Sequence, residues 1–136
     1  MSDSVNSIPS PFYRVSVKAL IFDTARRLLV LRDRDSRWQI PGGGWEHGES
    51  LEACVQRELQ EEIGVGASSI DVSLLHPCVG RARLKLTVGA ELAPGSLCVG
   101  DGMLEARYVT REEFSALKLG GGDDILSAHV LQTWPR

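Results

Sequence analysis

Aromatic residues are scarce. Trp, Tyr and Phe make up 6% of the 136 residues, so few side chains can stack on a base: Phe12, Tyr13, Trp38 and Tyr108 are the candidates. Cysteine is rarer still. Cys54, Cys78 and Cys98 are odd in number, form no CxxC, and have no His at metal-site spacing. A disulfide framework and a zinc site are therefore not expected, and reduced, buried thiols suit a reducing compartment. Excess positive charge is missing as well, the net charge being −3. A mildly acidic chain has no electrostatic footprint for duplex nucleic acid or an anionic membrane. A small phosphorylated ligand is not excluded, because a bound divalent cation reverses the local field. No apolar run approaches the ~20 residues of a membrane span. Met1 to Pro11 carries no apolar signal-peptide core, so a cytoplasmic protein is the expectation.

What remains is ordinary for a globular chain: 43% apolar and 24% charged residues. The length suits one domain with a real core, here expected over 12–136 after a flexible arm at 1–11. Tyr13 to Phe22 reads as a strand, Asp23 to Arg26 as a turn, and the run to Leu31 as the returning strand of a hairpin. Arg32 to Arg37 is a dense charge run, either a solvated loop or a loop facing phosphates. Trp38 to Ile40 is a short strand ended by Pro41, and Gly42 to Gly48 a glycine-rich loop. Ser50 N-caps a helix over Leu51 to Ile63 that Gly64 closes. Strands are expected at 70–79, 84–91 and 105–109, with a long loop at 92–102. Short helices follow, one capped by Thr110 and one by Asp123 or Asp124. The order suggests an α/β architecture of mixed strands with helices on their faces.

The helix at 51–63 carries the chemistry. At about 100° per residue, Glu58, Glu61 and Glu62 fall within an arc of roughly 100°. Leu51, Val55 and Leu59 form a neighbouring apolar stripe. For stability alone the acidic face is a poor choice. Glu58–Glu61 and Glu58–Glu62 are like-charge pairs, each unfavourable by ~0.2–0.5 kcal/mol. Glu61 and Glu62 also occupy the last turn, where the helix dipole disfavours anions by roughly 0.3–1 kcal/mol each. Arg57 offsets part of this through Glu61. A divalent cation would reverse the sign of every term, and hard oxygen donors favour Mg²⁺ or Mn²⁺ over Zn²⁺. Pro41-Gly42-Gly43-Gly44 leads towards this helix, and glycines let backbone approach a ligand closely.

The segment from Gly43 to Val65, GGWEHGESLEACVQRELQEEIGV, resembles the box of the Nudix hydrolase family, GX5EX7REUXEEXGU, at every defined position. Gly43, Glu49, Arg57-Glu58, Leu59, Glu61-Glu62, Gly64 and Val65 fill it. The resemblance implies an α/β/α sandwich with a mixed β-sheet between helices, and MutT-like hydrolysis of a diphosphate linkage. It implies Glu58, Glu61 and Glu62 as metal ligands, the first sometimes through water, with the carbonyl of Gly42 or Gly43 adding another. Arg57 would orient the carboxylates. Glu49, with Gly43 and Gly64, would hold the loop–helix geometry. Members often add an acidic residue beyond the box. Glu105 resembles that position, a surface glutamate on an edge strand being the plain alternative, and Asp101 is the reserve.

Metal ions neutralise a diphosphate and lower the pKa of bound water, and a nearby carboxylate accepts the proton. Glu58 is the first choice for that base. The implied substrate is a small nucleoside diphosphate derivative: a nucleoside triphosphate, an ADP-ribose-type molecule or a dinucleoside polyphosphate. Pro77 is a weak pointer to ADP-ribose. Arg81, Arg83 and Lys85 alternate on one strand face, normally solvated, where they are also able to meet phosphates. His47 is expected in a solvated loop, His76 and His129 to be structural or exposed, and Trp38 in the core. A non-catalytic nucleotide sensor on the same fold is the competing reading, disfavoured by the three intact glutamates. A homodimer is compatible with the resemblance.

Overall fold

The computed structural model describes residues 12–100, 102–121 and 123–136; the expected arm at 1–11 and the reserve ligand Asp101 lie outside them. Ten elements follow in order: β1 Arg14–Leu20, β2 Leu28–Asp33, β3 Trp38–Gln39, β4 Gly42–Gly44, α1 Leu51–Ile63, β5 Ala67–Val79, β6 Arg83–Leu92, β7 Met103–Val109, α2 Arg111–Ala116 and α3 Asp124–Gln132. They build a mixed sheet in the order β4-β1-β6-β5 and an antiparallel sheet in the order β3-β2-β7. In the mixed sheet β1 runs parallel to β6 and antiparallel to β4.

Strand periodicity sorts the apolar residues into two cores. Val17, Ala19, Leu29, Leu31 and Val88 point to one side, where Cys54, Val55, Leu59 and Ile63 of α1 cover them. Leu20, Leu28, Val30 and Val109 point to the other, against Phe114, Leu126 and Val130 of α2 and α3. This is the expected α/β/α sandwich. No helix among the described residues is long and apolar enough to cross a membrane.

Two local expectations need correction. β1 and β2 do not form a hairpin. Both edges of β1 are taken by β4 and β6, so β2 leaves for the second sheet. What joins them is the expected turn at 23–26, closed by a Phe22–Leu28 bridge and by the Leu29 and Asp23 N–H groups on the carbonyls of Ile21 and Arg27, both at 2.9 Å. The glycines at 42–44 are a strand, not a loop. Gly42 pairs with Lys18, Gly43 with Val17 and Gly44 with Ser16. Gly42 has φ +130°, and a Cβ there would run into the Val17 carbonyl. Gly42 thus marks close approach of two backbones rather than a turn.

The caps of α1 fix where its glutamates point. Ser50 Oγ accepts from the Ala53 N–H at 3.0 Å. Gly64 closes the helix at φ +70°. The loop after β6 then crosses the helix end, where Cys98 N–H and Gly100 N–H donate to the carbonyls of Ile63 and Glu62, both at 2.9 Å. Carbonyls left without partners by the helix geometry are thus satisfied by protein.

Candidate active site

Arg57 is the hub of the site. Its Nε and Nη2 clamp the Glu49 carboxylate at 3.0 and 2.8 Å, a bidentate pair. Nη1 donates to Glu58 at 3.0 Å and Glu61 at 3.2 Å, and Nη2 also reaches the Gly44 carbonyl at 2.9 Å. Glu49 in turn accepts from the Glu46 N–H at 2.9 Å. The Arg57 hydrogen bonds, then that amide, pull the Glu49 carboxyl down to about 2, and the same contacts raise Arg57 above the usual guanidinium range. The loop 45–50 is thereby tied to the helix through one guanidinium.

Glu62 turns the other way. It is 7% exposed and accepts from the Gly42 N–H at 2.9 Å. Burial pushes its carboxyl up to about 7, against the opposing pull of that amide and of Lys18. Gly43 completes the contact between strand and helix, since a Cβ there would overlap the Glu58 carboxylate. The expected roles of Arg57 as orienter and Glu49 as brace thus have matching contacts. Glu58 lies against Gly43 and Glu62 against Gly42, and Glu61 is joined to Glu58 through Arg57.

The donor set is all oxygen, hard and surplus in negative charge, which fits a divalent cation such as Mg²⁺. Each carboxylate is already engaged by Arg57 or by the Gly42 amide. Among the described residues, no three His, Cys, Asp or Glu side chains converge in one ligand sphere. A cation would compete with Arg57 for Glu58 and Glu61. The Gly42 carbonyl accepts from Lys18 Nζ at 3.2 Å, while Gly43 faces Val17 in the β1–β4 pair and its carbonyl is also reached by Cys54 Sγ.

Glu105 is not brought to this cluster. Ala106 and Tyr108 face the α1 core and Val109 the other, so Glu105 shares the face opposite α1. It pairs there with Arg32 at 2.8 Å and Arg107 at 3.2 Å, and the Arg32 bond leads in holding its carboxyl below the usual range. The charge run 32–37 closes on itself: Asp33 accepts from the amides of Asp35 (2.9 Å) and Arg37 (3.0 Å). His47 is exposed, whereas His76 and His129 stack with ring centres 3.9 Å apart, joining β5 to α3.

A groove of about 1150 Å³ opens beside the carboxylates. Glu58, Gly43 and Gly44 line one part of it, and Arg14, Lys18, Arg83 and Lys85 another. Arg81 and Arg37 also reach it. Arg81, Arg83 and Lys85 are expected from the sequence as phosphate-facing candidates, but not Arg14, Ser16 and Lys18. Their signal was available: R-x-S-x-K at period two puts three polar residues on one face of an otherwise apolar strand.

Comparison with known proteins agrees with this geometry. The sequence matches the family described as NUDIX domain over residues 12–126. It is 33% identical over 112 residues to an RNA pyrophosphohydrolase of Teredinibacter turnerae, covering 81% of this chain and 64% of that protein. It is 37% identical over 126 residues to one of Saccharophagus degradans, covering 90% and 69%. The chain spans a little under two-thirds of the first of these relatives and 37% of an RNA pyrophosphohydrolase of Wolbachia pipientis. Among solved structures, a MutT protein from Methanosarcina mazei superposes with TM-score 0.70 at 21% identity, covering 91% of this chain and 96% of the other. An ADP-ribose pyrophosphatase from Streptococcus suis gives 0.66 at 18%, covering 87% and 88%. At such identities these two speak for the fold alone.

Proposed function

The chain belongs to the NUDIX family, and from that premise we propose that it hydrolyses a diphosphate linkage in a nucleotide-type substrate, using Mg²⁺ or Mn²⁺ held by Glu58, Glu61 and Glu62. The observation that carries this reading is the imbalance at the β4 edge. Glu46, Glu49, Glu58 and Glu61 gather around one guanidinium, with Glu62 buried at the Gly42 amide, beside a groove with a cationic wall. When bound, a divalent ion supplies charge neutralisation at the diphosphate and acidifies water. The protein's part is positioning. Arg57, locked by Glu49, orients Glu58 and Glu61. Glu58, half-buried and open to the groove, accepts the proton of the attacking water. Glu62 is steered by the Gly42 amide.

The relatives named RNA pyrophosphohydrolase suggest a substrate longer than a mononucleotide. The cationic wall supports it, because Arg14 and Arg83 lie about 13 Å along their strands from the register pair of Lys18 and Thr87. A 5′-triphosphorylated RNA end is therefore the first substrate to test, ahead of nucleoside triphosphates, ADP-ribose and dinucleoside polyphosphates. A single-stranded end is compatible with the net charge of −3, which gives no footprint for a duplex. The free cysteines accord with a cytosolic setting. The test is a substrate panel with Mg²⁺, scored for phosphate-ester products, beside Glu61→Gln and Glu62→Gln. Turnover of one class by the wild type, lost in both variants, is the expected result. A wild type that binds nucleotides yet turns over none would favour the sensor reading.

A further inference from the structure

β1 and β6 are the two central strands of the mixed sheet, with Ser16 beside Lys85 and Lys18 beside Thr87. One face of this pair, Val17, Ala19 and Val88, meets α1. The other carries Arg14, Ser16, Lys18, Arg83, Lys85 and Thr87. A central face in a layered fold is normally covered by apolar contacts. Here it forms the wall of the groove.

Lys18 is the anomaly on that wall. It is only 9% exposed, yet its ammonium makes one hydrogen bond, to the Gly42 carbonyl at 3.2 Å. An ammonium has three donors. No carboxylate among the described residues lies within ion-pair distance of it. Its neighbour Lys85, by contrast, is paired with Asp123. Burying a charge is costly unless it is paired. Lys18 lines the groove together with Gly43 and Glu58, so its free donors face the space that leads to the carboxylates.

Resting on the hydrolase reading, the geometry points to Lys18 as an anion-binding residue that takes a phosphoryl oxygen of the substrate diphosphate, beside the cation site and independent of it. The ligand class is a diphosphate or the inner part of a triphosphate. The glycines of β4 leave this edge without side chains, so Lys18 and Glu58 line the same groove, and Lys18 would meet a phosphoryl oxygen that the carboxylates alone would repel. Pinning the Gly42 carbonyl is the purely structural role that the experiment must separate from this one.

The test uses imidodiphosphate, which is not hydrolysed, in calorimetric titrations with Mg²⁺ present. Mn²⁺ titration and thermal melting run in parallel on the full chain. Lys18→Met removes the charge but keeps the stem, and Lys18→Arg keeps the charge. Losing one charged hydrogen bond should weaken imidodiphosphate binding about tenfold or more in Lys18→Met. Lys18→Arg should recover most of it. Mn²⁺ affinity should hold, and the melting temperature of Lys18→Met should stay level or rise, because a desolvated charge has gone. Unchanged imidodiphosphate affinity in Lys18→Met overturns the proposal. So does a fall in melting temperature or in Mn²⁺ affinity that tracks the loss, since either would make Lys18 a structural pin. Failure of the hydrolase reading has a separate signature: a wild type that binds Mn²⁺ and imidodiphosphate but turns over no member of the substrate panel.

Discussion

The molecule carries two regions where arginines meet carboxylates, one around β2 and β7 and one at the β4 edge. Around β2 and β7, Glu105 takes Arg32 and Arg107, and Arg37 takes Asp33 and Asp35. Among the described residues no ion pair joins these two clusters, but the Arg32–Ser36 hydrogen bond sets them side by side, and together they balance three cations against three anions. At the β4 edge, Glu46, Glu49, Glu58 and Glu61 share the single cation Arg57, and Glu62 lies buried nearby. The composition is similar but the charge is not. A balanced network is complete in itself and contributes little beyond solvation of a surface. A surplus network is stable only with further positive charge. That difference, more than any distance between carboxylates, separates a proposed metal site from a salt-bridge cluster.

The contrast can be broken most strongly at Glu58. Glu58→Gln should lower turnover by about 10²–10⁴-fold, as expected for a positioned carboxylate, with the fold intact by circular dichroism. Turnover within a few-fold of wild type would move the reacting centre elsewhere. The glycine edge comes next. Gly43→Ala should displace the flexible Glu58 side chain and cost activity with little change in melting temperature. Gly42→Ala, which meets the Val17 backbone at φ +130°, should lower the melting temperature itself. Arg57→Lys loses the bidentate hold on Glu49 and should weaken Mn²⁺ binding or activity by about 10–100-fold, the usual cost of losing a partner that orients ligands.

pH sharpens the comparison further. Glu62 has its carboxyl raised from 4.5 to about 7 by burial. A raised carboxyl stabilises the fold when protonated, so in EDTA stability should fall as pH rises from about 4.5 through about 7. Denaturant titrations of wild type and Glu62→Gln across that window should show the slope only in the wild type. Asp33 in the balanced network is shifted the opposite way, chiefly by the Arg37 amide, and its contribution is lost only on acidification. The smallest effect belongs to Glu105→Gln, about 0.2–1 kcal/mol of stability for a partly exposed pair, with no change in metal affinity.

Much of this was legible in the sequence because it is local. The bounds of α1, its Ser50 and Gly64 caps and the face of three glutamates follow from helix periodicity and capping alone. Glu105 shows where that legibility ends. Its resemblance to a ligand position is one of spacing, but strand parity at β7 turns it away from α1, and parity depends on a register no local pattern reveals. β1 was misjudged for a related reason. Hydrophobic alternation identified a strand, yet its neighbours, β4 and β6, are distant in sequence. With the pairing unknown, nothing singled out Lys18, and Gly42–Gly44 read as part of a loop.

Mn²⁺ titration by calorimetry into wild type, Glu62→Gln and Glu105→Gln tests the charge-surplus account most directly. It predicts binding in the wild type, a loss of about tenfold or more in Glu62→Gln and wild-type affinity in Glu105→Gln. Equal weakening in the two variants, or no loss in Glu62→Gln, would contradict it.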